Sequence, residues 1–186
     1  LLQLSNMTDK KNITKQFLKV ELLVSDVDGV LTDGSIAISS SGDESKTFCI
    51  EDGTGVALAH YAQLPLALLS GRFSKATSIR ANELNIKHCI QGFLNKEEKI
   101  KELCSELKVS LDKVAYIGDG LVDIPVLDIV GCPISVPNAH PSVKDKSIYV
   151  TNANGGGGVL YEVIEKILVE KNIYDDTIKI MKDDVY

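Results

Sequence analysis

Residues 22–32 have the sequence LLVSDVDGVLT, which passes from a short apolar run to two acidic residues and a glycine. Such a run is typical of a strand buried in a parallel sheet. Because ligands bind beyond the carboxyl ends of these strands, Asp26 and Asp28 are expected at a binding edge, where both can converge on one ion. Gly29 allows a sharp backbone turn beside them. Solvated acids in an ordinary loop are the alternative interpretation.

The rest of the chain alternates between apolar, β-prone runs and helical stretches. This alternation is typical of an α/β fold with a central parallel sheet and helices on both faces. Further strands are predicted at 66–69, 87–90, 114–117, 132–136 and 149–150, and helices at 53–63, 73–85, 95–108, 121–129 and 158–171. Residues 35–50 interrupt the pattern and predict a β-hairpin. The predicted organisation is an N-terminal extension (1–20), a core (21–172) and a flexible C-terminal tail (173–186).

Composition excludes several classes of function. The 186 residues are 44% hydrophobic and 25% charged, as expected for one globular domain. A net charge of -6 disfavours nucleic-acid partners, since phosphate backbones attract basic surfaces. The sequence lacks an apolar run long enough to span a membrane and a signal-peptide core at its start, so no membrane partner is expected. Four scattered cysteines fit a reducing compartment. These features predict a cytoplasmic protein.

Two further strand ends carry polar residues. Ser70 ends an apolar run just before a helix, where a hydroxyl and the helix N-terminus can bind an anion. A plain N-cap is the alternative for Ser70. The following helix holds Lys75 and the chain's only arginines, Arg72 and Arg80, which form either a basic patch at the pocket or solvated surface. Asp119 ends the strand at 114–117 on the same edge as Asp26, which suits contact with a divalent cation.

The segment DVDGVLT at 26–32, together with these ordered strand ends, resembles the haloacid dehalogenase (HAD) superfamily of phosphotransferases. Within it, residues 21–170 are similar to the capless group that contains 3-deoxy-D-manno-octulosonate (KDO) 8-phosphate phosphatase and the nonulosonate 9-phosphate phosphatases. The resemblance implies a Rossmann-like three-layer α/β/α fold with a small β-hairpin insert and no cap domain. It also implies a homotetramer in which a neighbouring subunit covers each site.

The same resemblance implies catalytic roles. Asp26 is the nucleophile, Asp28 the general acid and base, and Ser70 binds phosphoryl oxygens. The sequence QGFLNK at 91–96 resembles the Gly-x-x-(Asp/Asn)-Lys pattern, which identifies Lys96 as the charge-stabilising residue, with Lys99 as the runner-up. The implied cofactor is Mg²⁺, with protein ligands from Asp26, the backbone carbonyl of Asp28 and Asp119. Asp123 would support these ligands through hydrogen bonds.

Substrate contacts are less completely matched. The sequence EDGTG at 51–55 resembles an Asp-Gly-x-Gly turn near the sugar, with helix capping as the alternative for Asp52. The implied substrate-binding residues are Asp52, Gly53, Gly71, Arg72, Lys75 and Arg80. The chain departs from the family pattern in three places. Gly120 stands where many relatives have a second Asp, and the run Gly155–Gly158 lacks the usual Arg. Tyr161 stands where relatives often have a second Arg.

The favoured function is a Mg²⁺-dependent phosphatase that acts on a phosphorylated keto-sugar acid through an aspartyl-phosphate. Such a substrate belongs to lipopolysaccharide or sialic acid biosynthesis. A non-catalytic oligomerisation domain of a sugar-activating enzyme, such as an acylneuraminate cytidylyltransferase, is the alternative. A phospho-accepting receiver domain is disfavoured, because its acceptor Asp follows the third strand and Asp26 follows the first.

Overall fold

A computed structural model describes residues 13–185 of the chain, with six parallel strands in one sheet. The strands are β1 (Leu22–Ser25), β4 (Leu66–Ser70), β5 (His88–Gln91), β6 (Val114–Gly118), β7 (Cys132–Ser135) and β8 (Tyr149–Val150). Two short strands, β2 (Ala37–Ile38) and β3 (Glu44–Ser45), form a separate antiparallel hairpin. The parallel sheet confirms the predicted fold class.

Helices cover both faces of the sheet. They are α1 (13–19), α2 (Ile50–Tyr61), α3 (Lys75–Glu83), α4 (Lys96–Leu107), α5 (Ile124–Leu127), α6 (Pro141–Lys144), α7 (Val159–Glu170) and α8 (Tyr174–Val185), with 3₁₀ turns at Leu111–Lys113 and Leu121–Asp123. Helix α2 packs against α7 and α8, while α4 packs against α5 and α5 against α6. Within residues 13–185, no helix has the length and apolar character required to cross a membrane.

The strand order β5-β4-β1-β6-β7-β8 reverses direction at β1. From β1 the chain moves outward through β4 to β5, and then returns to β6 on the opposite side of β1. Every residue of β1 and β6 is buried, which explains why these strands are almost continuously apolar. Doubly wound sheets bind ligands in the crevice at such a switch point, and Asp26 and Asp119 follow the two strands that flank it.

The hairpin is shorter than the sequence predicts. Each of its strands has two residues, and α2 begins at Ile50, inside the range predicted for the hairpin. After β3 the chain leaves the ladder at Lys46, whose side chain contacts Asp28 in the loop that follows β1. Between β1 and α2 the chain therefore carries only this small hairpin, in agreement with the expected lack of a cap domain.

The C-terminal segment is a helix and not the predicted flexible tail. Along α8 the residues Tyr174, Thr177, Ile178 and Met181 follow the i, i+3, i+4, i+7 spacing of one helix face. Thr177 is buried, and the other three pack partly against the core. The charged residues between them obscured this pattern in the sequence.

The predicted N-terminal extension is also partly structured. Residues 1–12 of it lie outside the described part of the chain. In α1, however, Phe17 is fully buried and meets the ring of Tyr149 edge-on, with ring centroids 5.6 Å apart. This segment therefore packs as part of the core.

Asp52 joins α2 to the start of α7. Its carboxylate is buried, and Oδ1 accepts hydrogen bonds from the backbone N–H of Leu160 (2.8 Å) and Tyr161 (3.4 Å). Gly158, the N-cap of α7, has no side chain to satisfy these groups, so Asp52 caps α7 from the neighbouring helix. These hydrogen bonds give Asp52 a capping role, although on α7 and not on its own helix, and contact between Asp52 and substrate stays a prediction.

This buried cap predicts a pH dependence of stability. Burial raises the pKa of Asp52 from 3.8 to about 6, against the opposing effect of its hydrogen bonds from Leu160 and Tyr161. The folded protein therefore binds this proton more tightly than the unfolded chain, and stability should fall as pH rises from about 4 to about 6. In the Asp52→Asn variant, which retains an acceptor oxygen, this fall should be smaller by roughly 1–3 kcal/mol. Urea unfolding of both proteins at pH 4.5 and pH 7 measures the difference, and equal falls would contradict the assignment.

Candidate active site

Carboxylates from the two central strands meet at the crevice of the sheet. Carboxylate oxygens of Asp26, Asp119 and Asp123 all lie within 4.8 Å of one another. Gly29 lies against Asp119, with a positive φ of +84°, and a Cβ at this position would come within 2.0 Å of Asp119 Oδ2. Only glycine therefore fits between the catalytic loop, residues 26–32, and the Asp119 carboxylate.

Lys96 lies among these acids at the first position of α4. Its Nζ is 2.7 Å from Asp26 Oδ2 and 2.7 Å from Asp123 Oδ1, and its side chain is 1% exposed. Burial alone would lower the pKa of Lys96, but the carboxylates of Asp26 and Asp123 raise it above its ordinary value. Lys96 is therefore a fixed positive charge beside Asp26. The runner-up, Lys99, pairs with Glu102 instead.

Burial, together with the excess of carboxylates over Lys96, shifts the protonation of these acids. Burial raises the pKa of Asp26 to about 7, with Lys96 opposing this shift and Asp123 adding to it. Burial and then Asp123 raise the pKa of Asp119 to about 6. One cation thus leaves this group of acids short of positive charge.

Asp123 uses both of its oxygens within the protein. Oδ1 accepts hydrogen bonds from Lys96 Nζ and from the Tyr116 hydroxyl (2.6 Å), while Oδ2 accepts from the backbone N–H of Asp119 (3.0 Å) and Gly120 (2.9 Å). These are the contacts expected of a supporting residue. Gly120 supplies its share through the backbone, so the missing second Asp does not remove this hydrogen bond. The sequence interpretation missed Tyr116, which has the appearance of an ordinary core residue within β6.

Lys46, on the chain leaving the hairpin, was also missed. Its side chain is fully buried, and Nζ lies 2.5 Å from Asp28 Oδ1 and 3.4 Å from Thr77 Oγ1. Asp28 itself remains partly exposed. Nothing local distinguishes Lys46 in a chain with eighteen lysines. The hairpin thus places a cation directly on the residue expected to act as acid and base.

Ser70 ends β4, and the N-cap of α3 is Ser74. The Ser74 Oγ accepts from the Thr77 N–H, which excludes the alternative that Ser70 caps this helix. The Ser74 hydroxyl also donates to Glu44 Oε1 (2.6 Å), and this bond is the largest effect that lowers the pKa of Glu44. Glu44 additionally forms an ion pair with Arg72. The hairpin is therefore fastened to the loop that follows β4.

The other residues predicted to bind substrate fall into two groups. Gly71 lies beside the Lys96 side chain, near the acids, and Lys75 is exposed at the start of α3. Arg80 instead donates to the carbonyl of Cys49 (3.2 Å) and pairs with Glu83 (3.0 Å), and Gly53 packs against it. Arg80 and Gly53 thus have contacts that link α3 to the start of α2. Binding of substrate by any of them stays a prediction.

The donors at the crevice fit a hard divalent cation. Mg²⁺ prefers oxygen ligands, and Asp26 and Asp119 offer carboxylates whose pKa values are raised by burial first and by the neighbouring Asp123 charge second. Asp123 is occupied by its own hydrogen bonds and is better suited to support than to ligation. The backbone carbonyl of Asp28 lies in the catalytic loop that follows β1. Ligation of the ion by Asp26, the Asp28 carbonyl and Asp119 stays a prediction.

Comparisons with known proteins agree with this geometry. A family model described as haloacid dehalogenase-like hydrolase matches residues 60–163. The chain is 37% identical over 161 residues to the 3-deoxy-D-manno-octulosonate 8-phosphate phosphatase of Yersinia pestis. This alignment covers 87% of this chain and 86% of the relative. These alignments include almost the whole described core.

Two solved structures are similar in fold. The KDO 8-phosphate phosphatase of Moraxella catarrhalis, crystallised with magnesium, phosphate and KDO, has a TM-score of 0.87 and 38% identity, over 90% of this chain and 96% of that one. The cobalt-bound phosphatase of Haemophilus influenzae has a TM-score of 0.84 and 32% identity, over 89% of this chain and 98% of that one. From the match of sequence, fold and crevice together, the chain belongs to the haloacid dehalogenase-like hydrolase family.

Proposed function

We propose that this hydrolase is a Mg²⁺-dependent phosphomonoesterase that cleaves a phosphorylated keto-sugar acid, KDO 8-phosphate or a nonulosonate 9-phosphate. The observation that carries the proposal is the buried contact of 2.7 Å between Asp26 and Lys96 at the switch point. A carboxylate nucleophile held beside a fixed cation is the arrangement needed to attack an anionic phosphoryl group, since the cation offsets the charge that gathers in the transition state.

The residues support a reaction in two displacements. In the first, an oxygen of Asp26 forms a bond to phosphorus while the phosphorus–oxygen bond to the sugar breaks, and Asp28 gives its proton to the leaving alkoxide. In the second, Asp28 takes a proton from water as the water attacks phosphorus, and the bond to Asp26 breaks to release phosphate. Lys96 and the Ser70 hydroxyl stabilise the phosphoryl oxygens. Mg²⁺, held by Asp26, Asp119 and the Asp28 carbonyl, would supply further positive charge for both steps.

The substrate class follows from the relatives and from the local charges. The similar enzymes of Yersinia pestis and Moraxella catarrhalis are named for KDO 8-phosphate. In this chain, Arg72 and Lys75 lie on the segment that follows β4, at the same edge of the sheet as Asp26. From there, these basic side chains could bind a carboxylate of the sugar. Since Arg72 already pairs with Glu44, a bound sugar acid would share that guanidinium or rely on Lys75.

The non-catalytic oligomerisation domain is not favoured. Removing three charged groups from water is costly, and a purely structural core of this size gains little from it. Lys96, Asp26 and Asp123 are nevertheless all buried at the one edge where this fold binds ligands. A catalytic role accounts for that cost.

We also propose a homotetramer in the cytoplasm. Apolar side chains stand exposed on the hairpin and on two loops at the carboxyl edge of the sheet: Ile36, Ile38, Phe73 and Leu94. Exposed apolar groups that cluster around a site favour contact with another subunit. Because the hairpin alone is too small to cover the crevice, a neighbouring subunit would complete it. All four cysteines are free, which fits a reducing compartment.

The substrate proposal is tested by phosphate release from a panel that contains KDO 8-phosphate, nonulosonate 9-phosphates and simple hexose phosphates. We expect turnover of at least one ulosonic acid phosphate to exceed that of the hexose phosphates by about 100-fold or more, because the latter lack the carboxylate. Equal rates across the panel would contradict the proposed substrate class but would still agree with the proposed phosphatase activity.

The mechanism is tested with Asp26→Asn and with removal of metal. The Asn amide is a poor nucleophile, so turnover should fall by roughly 10³-fold or more, while Asp175→Asn, an exposed change of the same kind on α8, should have no effect. EDTA should abolish turnover and excess Mg²⁺ should restore it. Unchanged turnover in Asp26→Asn would rule out the aspartyl-phosphate.

The assembly is tested by light scattering at the concentration used for assays. Ile38→Glu, in the hairpin, should dissociate the tetramer and lower turnover because the crevice loses its cover. Ile180→Glu, a matched change at an exposed position of α8, should leave both unchanged. A wild-type monomer with full activity would refute the proposed assembly.

A further inference from the structure

Thr32 closes the catalytic loop from inside. Its side chain is buried, and Oγ1 accepts hydrogen bonds from the backbone N–H of Gly29 (3.3 Å) and of Gly34 (3.2 Å). The backbone turn that precedes it is held independently, since the carbonyl of Val27 accepts from the N–H groups of residues 30, 31 and 32. The Thr32 hydroxyl therefore adds two constraints, and one of them sets the direction of the Gly29 N–H.

That constraint also fixes the carbonyl of Asp28. In a trans peptide, the N–H of one residue and the C=O of the residue before it point in opposite directions. Because the Gly29 N–H points to Thr32, the Asp28 carbonyl points away from it. Within residues 13–185, no hydrogen bond to this carbonyl is formed by the backbone. The fold thus orients the Asp28 carbonyl without using it.

The following peptide is held from outside the loop. The Gly29 carbonyl accepts from Asn138 Nδ2 (3.2 Å), and Asn138 Oδ1 accepts from the Gly155 N–H (2.7 Å). The backbone of Gly155 packs so closely that a Cβ there would lie 2.0 Å from the Gly29 carbonyl oxygen. Both peptides that flank Gly29 therefore have fixed planes.

We propose that Thr32 and Asn138 are positioning residues for the divalent cation, because they hold the peptides on either side of Gly29 so that the Asp28 carbonyl is presented as a ligand. The inference rests on the proposed Mg²⁺ site and concerns residues that would not touch the ion. Groups that orient the ligands of a metal commonly change its affinity by 10- to 100-fold when they are removed.

The test measures binding of Mg²⁺ alone by isothermal titration calorimetry, so that it does not depend on hydrolysis. Thr32→Val keeps the shape and removes the acceptor, and it should weaken binding by roughly 10-fold or more. Thr32→Ser keeps the hydroxyl and should bind within about 3-fold of wild type. Thr177→Val makes the same change at a buried threonine of α8, where the hydroxyl donates to the Ile173 carbonyl, and should leave Mg²⁺ affinity unchanged.

Asn138→Leu gives a second measurement if Thr32→Val does not fold. It removes the hydrogen bond to the Gly29 carbonyl, and weaker Mg²⁺ binding than in wild type would support the inference. Wild-type affinity in a folded Thr32→Val or Asn138→Leu protein overturns it, whatever the effect on stability. A wild-type protein that binds Mg²⁺ but hydrolyses nothing would refute the proposed function and still allow this comparison.

Discussion

The buried ion pairs of Lys96 are the interaction on which the rest of the structure depends. A lysine out of contact with water is tolerated only when nearby carboxylates compensate its charge, and the loss of one partner from such a group costs about 3–5 kcal/mol. The partners here come from the end of β1 and from the 3₁₀ turn after β6, while Lys96 begins α4. Three separate segments must therefore be in place together before this cation can be buried.

The balance of that group has a chemical result. Asp26, Asp119 and Asp123 face one lysine, so the site keeps a deficit of positive charge. Burial, with Asp123 adding to it, raises the pKa of Asp26. Such a site attracts a divalent cation, and a bound cation would in turn offset the negative charge of an incoming phosphoryl group. Tyr116 and the backbone N–H groups of Asp119 and Gly120 hold Asp123 in place on both of its oxygens, which leaves Asp26 and Asp119 as the carboxylates to face an ion.

What could be predicted from the sequence depended on local patterns. Asp26 and Asp119 were placed correctly at the sheet edge because each directly follows an apolar strand, and Lys96 because it follows a recognisable turn. Lys46 and Asp52 could not be assigned in this way, since their partners lie 18 and 108 residues away along the chain. The helix α8 had a readable spacing of apolar residues, but its charged positions favoured a tail. Contacts between residues that are far apart in the sequence could not be predicted from local patterns.

The close packing of Gly155 on Gly29 affects the order in which parts of the structure can form during synthesis. The catalytic loop is made early in synthesis, yet the backbone that fixes its outer side lies more than a hundred residues later. Contacts of such long sequence separation form late, because a large loop must close before they are gained. A nascent chain with its first strand already outside the ribosome would therefore expose Asp26 in an unfinished loop, until translation had passed the four glycines.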